Sequence, residues 1–334
     1  MKITINKQVE LMCGLLLCSD YATKSVPMMC EDTGNSFRKA NVDFVSKFKN
    51  EKVFNLLNEI VNDKTANFTW EAPIVIALHM DENYNFFGEN CYTFTGKLHH
   101  NQKIIELVKE IKIFAKKANY DSFFSSHQNQ FDLLKEQHSK AISTDDIDNI
   151  FRFMADFYMF TPIQDNYFIN LMPSLSWTGI GTEILDKICV SDSLKKNKTK
   201  GWQFQYHDDK REYIAHILHE FSHPIINPAT DKANLHFSII TDWNYISDKL
   251  GVGYANFWKS YINEQIIRAI QLYFLEKIYK FPIQDRIIRE EDNGYLHTKL
   301  MLRKLYEIEN KHYNNFAEKY QELLTVFQES IKGL

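Results

Sequence analysis

The stretch Asp208–His223, DDKREYIAHILHEFSH, constrains the fold most, because it carries a start signal, a helical period and an ordered set of polar groups. Asp209 stands as an N-cap and Glu212 follows three residues later as a capping-box partner, which predicts a helix from here. Pro224 has no N–H and disfavours helical geometry at the residue before it, so the helix is expected to end just after His223. Ile214, Ile217, Leu218, Phe221 and Ile225 supply an apolar surface around the polar side chains. His219 and His223 are four residues apart, so their imidazoles project from one face on successive turns and can meet one tetrahedral Zn2+. Glu220 lies about 100° around the helix from His219, where it can reach a metal-bound water without ligating the ion. Zinc lowers the pKa of such a water, and a nearby carboxylate takes its proton as a carbonyl carbon is attacked. The plainer alternative is two histidines hydrogen-bonded in a core. His216 shares part of the face, but three ligands from one short helix fit a tetrahedral ion poorly, so it reads as a supporting or surface histidine.

A catalytic zinc keeps one position open, so a third protein ligand must come from elsewhere in the chain. Extending HExxH by xxGxxH would need Gly at 226 and His or Asp at 229, where this chain has Ile226 and Ala229. A downstream GTxxD is also missing; Ala229-Thr230-Asp231 is its nearest echo. The best candidate is Glu264, in the apolar segment Phe257–Phe274, which predicts a buried helix. A buried carboxylate needs a cation or several donors, and zinc answers that need. A Glu264–Arg268 ion pair is the alternative, and both hold if Arg268 orients the ligand. Asp231, Asp242, Asp248, Glu276 and His236 stand behind Glu264 as candidates.

HEFSH followed by a separate helix carrying NEQIIRA resembles the glutamate-ligand zincins, or gluzincins, and the wider context resembles a bacterial family of zincin-type metallopeptidase domains. Val9-Glu10-Leu11-Met12, HEFSHPIINP and the Trp258–Ala269 segment carry the likeness, which extends over nearly the whole chain. The resemblance implies a mostly helical α+β fold with a zincin-like core. It also implies one zinc per chain, with His219, His223 and Glu264 as ligands and Glu220 as general base. Zincins place a Tyr or His opposite the base to stabilise the oxyanion. Tyr245, Tyr254, Tyr261, Tyr295 and His297 are available, and His297, following the Glu290–Gly294 turn, is preferred.

Elsewhere, helical spacing of apolar residues marks 37–61, 102–119, 145–159 and a long segment at 298–331. Pro73–His79, Tyr167–Leu171 and the alternating Trp202, Phe204 and Tyr206 read as strands, the last able to take an extended peptide on its edge. Ser191–Gly201, with four lysines, reads as a surface loop. No repeat or linker interrupts the 334 residues, so one unit is expected. Its parts are a mainly helical segment 1–160, a metal-site core 161–280 and C-terminal helices 281–334. A formal net charge of -4 argues against nucleic acid as a partner. Five scattered cysteines without a CxxC pair read as reduced thiols. Glu10 interrupts the first apolar run, which therefore reads as an amphipathic helix and not a signal peptide, leaving a cytoplasmic location as the default. No apolar run is long enough to span a bilayer. The expected activity is zinc-dependent cleavage of a peptide or protein substrate. Hydrolysis of a non-peptide amide or ester, and a metal-bearing peptide-binding module without turnover, are the alternatives.

Overall fold

A computed structural model describes the chain apart from residues 64–65, 67, 69–70, 89–91, 94–95, 98–101, 198–199, 205–208, 234–257 and 331–334. The fold is mostly helical with a small sheet, an α+β arrangement. It gathers into two compact units, one from Met1–Ser143 with Asp165–Asp208 and one from Thr144–Gln164 with Asp209–Leu334. No helix among the described residues is long and apolar enough to cross a membrane.

The first unit is built on β1 (Lys2–Thr4) and α1 (Lys7–Leu17). Asn6 caps α1 by accepting from the Val9 N–H, while its own N–H donates to Asn170 Oδ1 at 2.8 Å. Every residue from Gln8 to Leu16 is buried, so α1 is a core helix and not the amphipathic one expected. Gly14 permits this. A Cβ there would lie 2.9 Å from both Asn41 Oδ1 and Val45 Cγ2, so a side chain would push away α2 (Ser36–Val45). The apolar period at 37–61 belongs to two helices, α2 and α3 (Lys52–Asn62), parted by a 3-10 turn at Ser46–Phe48.

Pro73–His79, expected as a strand, forms α4 (Ala72–Leu78). An apolar run buried on all sides has no period to separate strand from helix, and Pro73 in the first turn presets helical φ. A short hairpin, β2 (Tyr92–Thr93) with β3 (Gly96–Lys97), precedes α5 (Gln102–Lys117), α6 (Tyr120–Ser125) and α7 (Gln128–Ala141).

The sheet runs β1, β4 (Tyr167–Ser176), β6 (Lys187–Asn197), β5 (Gly179–Ile184). The β1–β4 and β4–β6 pairs are parallel, with Ile3 opposite Ile169 and Ile169 opposite Val190, and β5 returns antiparallel on β6. Strand β6 occupies the stretch read as a loop. Its polar residues enter the interior in pairs: Lys195 bonds Asp192, and the Ser193 hydroxyl donates to the Thr178 carbonyl at 2.9 Å. Pairing offsets part of the desolvation cost that a polar run otherwise signals. The alternating Trp202 segment appears as β7 (Gly201–Gln203) on β6, while Gln205 and Tyr206 lie outside the described residues.

The second unit is helical: α8 (Thr144–Tyr158), α9 (Lys210–Lys232), α10 (Trp258–Tyr279), α11 (Gln284–Asp292), α12 (Thr298–Ile308) and α13 (Phe316–Ser330). The long helix expected at 298–331 is thus a pair, α12 and α13. Helix α9 begins where expected, with Asp209 accepting from the Arg211 N–H at 2.8 Å, but does not end at His223. It runs through Pro224 and Pro228. An interior proline costs about 3 kcal/mol or more. Contacts beyond the prolines offset this: Ile226 and Thr230 are buried, and the Thr230 hydroxyl meets Asn263 and Tyr320. Helices α9 and α10 pack along one another, which brings the two sequence-distant parts of the candidate site together.

Candidate metal centre

His219 and His223 stand on successive turns of α9, with ring centroids 5.0 Å apart. Glu264 reaches them from α10. Its Oε2 lies 3.6 Å from His219 Nε2 and its Oε1 lies 3.3 Å from His223 Nε2. One ligand atom from each residue falls within 4.8 Å of the others, a grouping able to hold a metal ion. Two ligand atoms about 2.0–2.1 Å from one ion at the tetrahedral angle stand about 3.3–3.4 Å apart; the His223–Glu264 separation matches this, while the 3.6 Å from His219 is longer and runs to the other carboxylate oxygen. The three side chains are largely buried, at 7%, 16% and 12% exposure.

The donor set itself calls for a cation. His223 Nδ1 lies 3.4 Å from Asn227 Oδ1, a contact that favours a proton on Nδ1 and turns Nε2 to the carboxylate. An Nε2 lone pair facing a carboxylate is repulsive, so a proton or a metal ion must lie between them. Without metal the proton serves. Burial alone would lower the His223 pKa, but the facing Glu264 carboxylate outweighs it and raises the value to about 9. Burial likewise works to raise Glu264, yet Arg268 and His219 hold it well below the usual carboxylate range. His219 Nδ1 is buried with no hydrogen-bond partner among the described residues.

Glu220 is buried beside the histidines, with Oε1 3.9 Å from His216 Nε2, and is not one of the three grouped ligands. His216 stacks on His219 with centroids 6.2 Å apart. His297 precedes α12, and its Nδ1 lies 2.6 Å from the Tyr261 hydroxyl. Burial pushes its pKa down to about 4, so the ring is neutral at physiological pH. Tyr261 precedes Glu264 by three residues on α10, which puts the Tyr261–His297 pair about one turn from the Glu264 carboxylate. Among the other candidate ligands, Asp231 pairs with Lys259 at 2.6 Å on the surface, and Glu276 is outside the group. His236, Asp242 and Asp248, with Tyr245 and Tyr254, lie outside the described residues.

Two neighbouring residues, Asn227 and Glu290, carry no site signal in the sequence, and Tyr295, expected only as an oxyanion candidate, meets Arg268 instead. Asn227 follows His223 by four residues, a spacing that signals contact only once the helix is known to pass Pro224. Glu290 and Tyr295 both meet Arg268, and both sit in a stretch that reads as a flexible acidic turn.

Fold and site together define a mostly helical α+β protein with a largely buried His-His-Glu cluster of metal-ligand spacing. The chain belongs to the family described as Domain of unknown function (DUF4932), whose model matches residues 1–326. No curated protein and no solved structure matches it.

Proposed function

We propose that the protein is a zinc-dependent hydrolase with a zincin-like core of the glutamate-ligand type, acting as a metallopeptidase on peptide or protein substrates. The observation that carries this reading is the convergence of His219 and His223 Nε2 on the two Glu264 oxygens, with Glu220 on the same helix as both histidines. His219, His223 and Glu264 hold the ion. When bound, zinc supplies Lewis acidity and lowers the pKa of water to about 7. Glu220 accepts the proton of the attacking water at a carboxylate oxygen and returns it to the leaving amine. The neutral imidazole of His297, with Tyr261 on its Nδ1, is the preferred donor to the developing oxyanion.

The test is Glu220→Gln, assayed on a panel of unrelated peptides with and without a chelator. Zinc content should stay at the wild-type level while hydrolysis falls by about 10²–10⁴, the usual contribution of a general base. Full activity in a zinc-loaded Glu220→Gln protein would reject Glu220 as the base.

A further inference from the structure

Arg268 joins two carboxylates of separate helices. Its Nε donates to Glu264 Oε2 at 3.1 Å, one turn back on α10, and one terminal nitrogen donates to Glu290 Oε2 of α11 at 2.8 Å. The guanidinium carbon lies 3.7 Å from the centre of the Tyr295 ring, so one face of the fork is covered as well.

The end of α11 explains how Glu290 and Tyr295 come to the same place. The Tyr295 N–H donates to the Glu290 carbonyl at 2.9 Å and the Gly294 N–H to the Glu291 carbonyl at 3.0 Å, with Gly294 at φ 91°. This pair of bonds is a Schellman cap, which sets the third residue from the helix end beside the second residue after its cap. Those positions often share an apolar contact. Here they are Glu290 and Tyr295, and both turn to Arg268. Gly294 is required because a side chain is strained at that φ.

An ion pair for stability alone does not account for this arrangement. Glu290, at 5% side-chain exposure, is more buried than Glu264 at 12%, and Arg268 is only 23% exposed. Gathering three charged groups with so little water is a poor source of stability compared with apolar packing of the same volume. It does fix direction. Arg268 has a rigid planar fork that fixes the direction of its bonds to two carboxylates, which the rotating ammonium of a lysine does not. With Oε2 held by Arg268 Nε, the Glu264 carboxylate is set in one rotation, and its Oε1 faces His223.

We propose that Arg268, clamped by Glu290 and Tyr295, is a positioning residue that orients Glu264 for metal binding. This rests on the reading of His219, His223 and Glu264 as ligands. It predicts that residues touching no ligand histidine control how tightly the site binds metal and how the metal is coordinated.

The experiment uses the full chain stripped of metal. Zinc affinity is measured by chelator competition, the Co2+ absorption spectrum reports coordination geometry, and the melting temperature of the metal-free protein reports folding. Arg268→Met combined with Glu290→Leu removes both charges together and leaves neither buried alone. Zinc affinity should fall about 10- to 100-fold, as for other partners that orient a metal ligand. The Co2+ bands should shift while metal-free melting holds or rises. Arg268→Lys, which keeps the charge but not the fork, should fall between wild type and the double variant. Wild-type affinity and Co2+ bands in the double variant, or in Arg268→Lys, would overturn the clamp. Glu264→Ala separates the two levels. Metal binding that needs Glu264 but ignores the clamp variants rejects this inference alone. A wild-type chain that binds no metal, or one indifferent to Glu264, rejects the ligand reading and the clamp with it.

Discussion

Glu10 sits in the middle of α1 with no exposed surface, and neither carboxylate oxygen makes a hydrogen bond among the described residues. Burial raises its pKa from the ordinary 4.5 to about 8, and the nearby Ser174 and Arg38 offset only part of the effect. The folded chain therefore holds a proton there that the unfolded chain releases near pH 4.5. Stability is undiminished below that pH, declines as pH rises from about 4.5 to 8, and is level above. At 1.36 kcal/mol per unit, a shift of about 3.5 units amounts to about 5 kcal/mol over the full range, and about 3 kcal/mol of it is lost by pH 7. Glu10→Gln keeps the shape and never ionises. Denaturant unfolding at pH 4, 7 and 9 should show the variant matching wild type at pH 4 and exceeding it by several kcal/mol at pH 9. Curves that run parallel at all three pH values would refute a neutral buried Glu10.

Gly14→Ala should destabilise by about 1–3 kcal/mol, the usual cost of overpacking, because its methyl meets Asn41 and Val45 at 2.9 Å; thermal melting measures this. Lys195→Met removes the ammonium bonded to Asp192, which is 1% exposed, and breaking a buried pair from one side should cost about 3–5 kcal/mol by urea denaturation. Adding Asp192→Asn should restore most of that loss.

Legibility followed the kind of signal. Helices α5 and α8 were plain because their apolar residues recur on one face. Helix α4 was not, since seven consecutive buried residues offer no contrast between faces. Strand β6 was hidden by its lysines and serines, whose partners, Asp192 and Thr178, become neighbours only in the folded sheet. Pro224 misled because a local rule about helix ends takes no account of packing two turns further on. At the candidate site, the shared face of His219 and His223 was legible from spacing within one helix, and Glu264 as their neighbour from the cost of a carboxylate on an apolar one. The clamp was not legible: Glu290 and Tyr295 reach Arg268 through a helix cap that composition alone reads as an exposed acidic turn.

If Glu264 completes a metal site with His219 and His223, the metal content of the protein reports it. Elemental analysis of protein reconstituted with zinc and freed of loosely held ions should give about one zinc per chain, as expected for three converging ligands with an open position. Folded Glu264→Ala should lose it, whereas Asp231→Ala and Glu276→Ala should keep it. Zinc retained by Glu264→Ala, or no tight zinc in the wild-type chain, would show that Glu264 is not a ligand.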